Sequence, residues 1–238
     1  MKKQMTEREW RKTVWPGIML DHLTQTCRVQ RSGCGRRKLR LFGVAYCRRV
    51  EHLLKIADLR KLIDSVEEWA DDLKKKVSVL KLAVRSRVTE GCGVADDMMA
   101  DYYADLLRQY ARSHLAAMAV SWLGCDTAEY GSRCYANAAL ALEGENIAEE
   151  TSRQCDILRD IFGNPFRAPP KFDKRWRTDT AVSLAHQMYE SREFGAMPIL
   201  ADALQDAGCD SDAVLDHCRS EGPHVRGCWV VDLVLGKA

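Results

Sequence analysis

Apolar residues recur every three or four positions along almost the whole of this chain. Leu39, Phe42, Tyr46, Val50 and Leu53 follow that spacing, as do Leu59, Leu62, Val66, Trp69, Leu73, Val77, Leu80 and Val84. A third run is Met98, Tyr102, Leu106, Tyr110, Leu115, Met118 and Trp122. A repeat near 3.6 puts such residues on one face of a helix, whereas a half-buried strand needs a repeat of two. No alternating run bounded by hairpin turns is present. The pattern restricts the chain to an all-α fold of nine to eleven helices, arranged as helical hairpins. With 238 residues, 46% of them apolar, the chain is long enough to bury a sizeable core.

Start and stop signals divide the pattern. Thr6-Glu7-Arg8-Glu9 has capping-box spacing, and Pro16 suits the first turn of a second helix with Ile18, Leu20 and Leu23 as apolar contacts. Residues 25–35 read as a loop, 36–55 as an amphipathic helix, and Asp58 as the cap of the next. The heptad-like run over 59–87 is read as a hairpin packed within the chain rather than a coiled-coil dimer, because Lys76 interrupts its seam. Helices are expected over 95–123, 127–142 and 147–162.

Asn164-Pro165 through Pro169-Pro170 breaks the periodicity. It divides a larger lobe, 1–163, from a smaller one, 171–238, with 164–170 as connector; the two lobes are expected to pack together. In the smaller lobe Thr178 and then Asp210 or Ser211 read as caps, Pro198 as a first-turn residue, and Gly208 and Gly236 as terminators. Val225, Trp229 and Leu233 are expected on one face of a last helix. Trp10, Trp69, Trp122, Trp176 and Trp229 are expected to be mostly buried.

The formal charge of +2 hides an asymmetry. Residues 1–90 carry 22 Lys/Arg and 11 Asp/Glu, and residues 91–238 carry 14 and 23. Arg36, Arg37, Lys38 and Arg40, with Arg48 and Arg49 beyond, form the core of the basic stretch 28–61 and are candidate anion-binding residues. Cations at a helix start oppose its dipole by about 0.3–1 kcal/mol each, so an anion would relieve them. Phosphate would serve, and so would carboxylates from the acidic half of the same molecule or of a copy, which is the preferred reading because the opposite charges nearly cancel. Only Phe42 and Tyr46 interleave with the basic residues, which does not point to base stacking.

Met1 to Trp10 holds no apolar run of the secretory type, and Leu115 to Leu123 falls far short of a membrane span. The expected location is the cytoplasm, and the ten cysteines are then expected to be reduced or metal-bound. Gly124-Cys125-Asp126-Thr127 followed by Cys134 is echoed by Gly208-Cys209-Asp210-Ser211 followed by Cys218. Gly leaving one helix and Asp or Ser/Thr capping the next explains both.

Candidate metal ligands cluster near the C-terminus: Cys209, Cys218, His224 and Cys228, with His217 as the alternate to its neighbour Cys218. Thiolate and imidazole are the usual zinc donors, and four complete a tetrahedral structural site. The spacing matches no zinc-finger pattern, so the competing reading is that these residues are core or caps and that no cofactor is required. Asp96, Asp97, Asp101 and Asp105 lack the spacing of a magnesium–diphosphate motif, and no phosphate-binding or hydrolase signature occurs.

Several segments have a distinctive wording. They are Thr6-Glu7-Arg8-Glu9-Trp10, Arg37-Lys38-Leu39-Arg40-Leu41-Phe42 with Cys47-Arg48-Arg49, and Leu158 to Arg167. Asp202 to Cys209, His217-Cys218-Arg219 and His224 to Asp232 complete the set. Together they resemble a large, paralogue-rich set of bacterial proteins to which no activity is assigned, with 74–145 matching less well. The resemblance implies a cytoplasmic binding or regulatory module rather than a metabolic enzyme. The leading expectation is therefore a non-enzymatic protein-interaction or scaffold module with a protein partner. The alternatives are polyanion binding through 28–61, and an enzyme or zinc protein built on the C-terminal Cys/His cluster.

Overall fold

A computed structural model describes residues 5–49, 51–53, 57–72 and 147–237. The expectations for the second half of the heptad run, the helices over 95–123 and 127–142, the Asp96–Asp105 carboxylates, Trp122 and the Cys125–Cys134 echo lie outside the described residues.

The described residues contain nine α-helices and no strand, so the chain is all-α. They are α1 (Glu7–Lys12), α2 (Pro16–Asp21), α3 (Gly33–Arg49), α4 (Ala57–Asp71), α5 (Ile147–Phe162), α6 (Asp179–Ser191), α7 (Met197–Asp206), α8 (Asp212–Arg219) and α9 (Trp229–Leu235). None is long and apolar enough to cross a membrane.

Local chemistry accounts for most of the boundaries. The capping box of α1 is complete: the Thr6 hydroxyl accepts from the Glu9 N–H at 3.2 Å, and the Glu9 carboxylate accepts from the Thr6 N–H at 2.8 Å. Pro16 opens α2, Thr178 caps α6 through the Ala181 N–H, and Gly236 closes α9 at φ 72°. Ser211 stands at the N-cap of α8 without a side-chain bond.

Four expectations are corrected. Helix α3 begins at Gly33, inside the expected loop, because the Ser32 hydroxyl accepts from the Gly35 N–H at 2.9 Å and starts the helix early. It ends at Arg49 and is followed by a 3₁₀ turn, rather than running to 55. Asp58 falls within α4 and not before it. The last helix starts at Trp229 and excludes Val225, because Gly222 and Gly227 take φ values of 87° and 98° that a helix does not permit.

Buried side chains form two clusters. Trp10, Met19, Leu23, Phe42, Tyr46, Ile63, Val66, Leu158 and Ile161 are in the first, which joins α1 to α5. Trp176, Met188, Tyr189, Leu200, Leu204, Val214, Cys218 and Val231 are in the second, which joins α6 to α9. Trp10 and Trp176 are buried as expected, while Trp69 and Trp229 are half-buried.

Helix α1 is tied to the end of α5 at the first cluster. Trp10 Nε1 donates to the Gly163 carbonyl at 3.1 Å, and the Arg159 guanidinium donates to the carbonyls of Trp10 and Thr13. The orphan carbonyls at the end of α1 are thus satisfied by a side chain from α5.

The segment 222–228 crosses over α3 at close range. A Cβ on Gly227 would stand 2.8 Å from Leu41 Cδ1, at a positive φ that L residues rarely adopt. Gly227→Ala is expected to lower stability by about 1–3 kcal/mol, through backbone strain and displacement of Leu41. Urea unfolding checks this; a midpoint unchanged from wild type would show that the segment does not pack on α3.

Candidate functional site

Asp160 is the focus of the most concentrated buried chemistry among the described residues. It lies on α5 between Ile157, Leu158 and Ile161, all buried, and its own side chain is 2% exposed. A carboxylate in that position has to find partners or give up its charge. It finds three. Oδ1 lies 3.0 Å from His217 Nε2 and 2.8 Å from His224 Nδ1, and Oδ2 accepts from the Val225 N–H at 2.9 Å. Burial alone would raise the Asp160 carboxyl, but the hydrogen bonds from His217 and His224 hold it below its ordinary value.

Cys228 completes the group. Its Sγ is 3.2 Å from the same His217 Nε2, and the side chain is fully buried at the N-cap of α9. Burial, with the Asp160 carboxylate beside it, pushes this thiol well above its ordinary value. His224 Nε2 donates to the Ser220 carbonyl at 3.2 Å, and the His217 ring lies against those of His224 and Trp229. The four ligand-type atoms of Asp160, His217, His224 and Cys228 lie within 4.8 Å of one another.

Three of the residues singled out from the sequence therefore meet: His217, His224 and Cys228. Cys209 and Cys218 do not join them. Both are buried in the second hydrophobic cluster, and burial pushes the Cys218 thiol up to about 12. His217 takes the place because α8 turns its neighbour Cys218 into the core. His224 and Cys228 converge through the turn at Gly227 and not through a shared helix face.

Asp160 was not legible as a ligand in the run Leu158 to Arg167. The one available signal was its place in an apolar stripe, where a lone carboxylate calls for a buried partner.

A second polar centre joins α3 and α4 to α6 and α9. The Arg37 guanidinium, on α3, is buried. It donates to both oxygens of Asp232 at 2.5 and 3.0 Å, to Asp71 at 2.9 Å and to the Tyr189 hydroxyl at 2.7 Å. The Tyr189 hydroxyl donates in turn to Asp71 at 2.7 Å. Arg226 and Lys237 also reach Asp71, at 3.1 and 3.3 Å. Beside it, Glu67 accepts from Arg48 at 2.7 Å and from Arg192.

The candidate anion-binding residues are largely engaged within the chain. Arg37, Arg48 and Arg49 pair with Asp232, with Glu67 and Asp64, and with Glu150. Arg36 donates to the carbonyls of Gln30 and Arg31, Arg40 stacks on Trp69 at 3.9 Å, and Lys38 sits 6.0 Å from the Phe162 ring centroid. The counter-ions of Arg37, Arg48 and Arg49 are thus the chain's own carboxylates, the alternative to an open basic face.

Comparisons with protein-family models, with curated proteins and with solved structures give no match to this chain.

Proposed function

We infer that the chain is a non-enzymatic protein-interaction module, docking through the corner between α1 and α2. The observation that carries this reading is the exposure of Val14, Trp15 and Ile18, at 43%, 63% and 53%. They are three of the four exposed large apolar side chains among the described residues, and they fall within five consecutive positions. Exposure of Ile18 overturns its expected place in the core. Met19 and Leu20 carry the buried side of α2 instead.

A lone exposed Leu or Ile needs no explanation, but a Trp clustered with two aliphatics is the composition of an interface hot spot. The corner is also held in place. The Thr13 hydroxyl accepts from the Trp15 N–H at 3.2 Å, Arg159 holds the Thr13 carbonyl, and Pro16 fixes the next turn. Such preorganisation lowers the entropy lost on binding. Lys12 and Asp21 are exposed on either side of these positions in the chain, so the partner surface that fits is an apolar pocket with a polar rim. Both polar centres, by contrast, are buried and their atoms are turned on one another, which suits joining helices more than receiving a substrate.

A photo-crosslinking side chain at position 18 tests the reading in cells. One discrete protein adduct is expected, absent when the same group is placed at exposed His186 and lost in Trp15→Ala. Trp15→Ala itself is expected to change stability by less than about 0.5 kcal/mol, since Trp15 is exposed. No adduct, or one indifferent to Trp15→Ala, would remove this corner as the docking surface.

A further inference from the structure

We propose that Asp160, His217, His224 and Cys228 are the four ligands of a structural zinc ion. This inference stands independently of the interaction reading. It rests first on convergence: four donor groups from α5, from α8, from the segment 220–228 and from the N-cap of α9 have their ligand atoms within 4.8 Å of one another.

It rests next on a conflict among the hydrogen bonds. His217 Nε2 faces Asp160 Oδ1 at 3.0 Å and Cys228 Sγ at 3.2 Å. A ring nitrogen has one in-plane direction, for one proton or one lone pair, and cannot serve both in full. The Ser220 carbonyl can only accept, so His224 Nε2 carries the proton between them at 3.2 Å. In the neutral ring the Nδ1 lone pair then points at the Asp160 Oδ1 lone pairs 2.8 Å away. A second proton on His224, which Asp160 favours, settles that contact in the metal-free chain and leaves His217 Nε2 between Asp160 and Cys228. One divalent cation accepts lone pairs from Oδ1, Nε2, Nδ1 and Sγ together.

Charge and outer contacts agree. A carboxylate and a thiolate bring two negative charges that a divalent ion cancels, which makes the buried site neutral. The Val225 N–H occupies Oδ2 and leaves Oδ1 to bind singly, and the Ser220 carbonyl fixes the His224 ring. Zinc bonds of about 2.0–2.3 Å place tetrahedral ligands about 3.4–3.6 Å apart. The 2.8, 3.0 and 3.2 Å contacts open by about 0.2–0.8 Å to reach that spacing, and the widest pair, within 4.8 Å, closes by about 1 Å. One oxygen, two nitrogens and one sulfur suit zinc better than magnesium or calcium, and four protein ligands define a structural site. On binding, the Cys228 thiol proton and any second proton on His224 leave to solvent.

The test is a cobalt(II) titration of the full chain, purified without a His tag, reduced and stripped by chelator. Wild type is expected to bind at a site with four-coordinate visible absorption and a thiolate-to-cobalt charge-transfer band, both removed by zinc. Cys228→Ser should lose the charge-transfer band. Asp160→Asn should fold, since its amide keeps an oxygen for the Val225 N–H and offers a donor to His224, and should bind cobalt at least about 100-fold more weakly, beyond the usual outer-contact effect. Cys209→Ala and Cys218→Ala should keep the spectrum. Absence of the spectrum in wild type, or its persistence unchanged in Cys228→Ser or Asp160→Asn, overturns the proposal.

Discussion

Chemical denaturation of Asp160→Ala is expected to show a loss of about 3–5 kcal/mol, the range for breaking one side of a buried charged group. Against a typical domain stability of about 5–15 kcal/mol, that is enough to leave much of the protein unfolded at 37 °C. The cost comes less from the bonds lost than from what is left behind. His217, His224 and the Val225 N–H all face Asp160, and alanine leaves the ring nitrogens and the N–H without a partner there. Removing the carboxylate also uncouples α5 from α8 and from the segment leading into α9. Asp160→Asn retains an acceptor and is expected to lose only about 1–2 kcal/mol. Equal losses for the two variants would mean that charge alone, and not the set of acceptors, holds the centre.

Arg37→Met is expected to be of similar size, about 3–5 kcal/mol, because it strands Asp232 at 0% exposure with both oxygens unpaired. The double variant Arg37→Met/Asp232→Leu should recover most of that loss, since apolar groups of similar volume replace a buried pair at little cost. Additive losses in the double variant would contradict this.

Acid should weaken the same seam. Burial alone would raise the carboxyls of Glu67 and Asp71. Hydrogen bonds from Arg192 and Arg48 to Glu67, and from Tyr189 with the charge of Arg37 at Asp71, hold both below their ordinary values. A depressed folded value contributes stability that is present above the unfolded value, about 4. The contribution is lost as pH falls through the folded value. Stability is therefore expected to fall below about pH 4, and less steeply in Arg37→Met, which has already lost one of the cations that depress Asp71.

Local signals in the sequence carried the fold a long way. The capping box at Thr6, Pro16 at a first turn, the helix over 147–162, the Thr178 cap and Gly236 as terminator all stand where their chemistry places them. Each depends on residues within four positions of one another. The departures share the opposite character. The last helix starts late because two glycines at positive φ divert the chain across Leu41, a contact made with α3. Ile18 turned outward because Met19 and Leu20 fill the space against the first cluster.

The candidate site divides along the same line. His217, His224 and Cys228 were legible because thiol and imidazole are scarce and they lie within twelve positions. Asp160 was not, because it is 57 residues from His217 and carboxylates are common. The destination of Arg37 was half legible: the charge balance favoured internal partners, but its bond to Asp232 spans 195 positions.

Zinc K-edge absorption fine structure on the zinc-loaded full chain tests the four-ligand centre most directly, since it counts sulfur donors without a variant. The account predicts one sulfur at about 2.3 Å and three nitrogen or oxygen donors at about 2.0–2.2 Å. Two or more sulfur donors, the result expected if Cys209 or Cys218 were ligands, or a shell without sulfur, would contradict it.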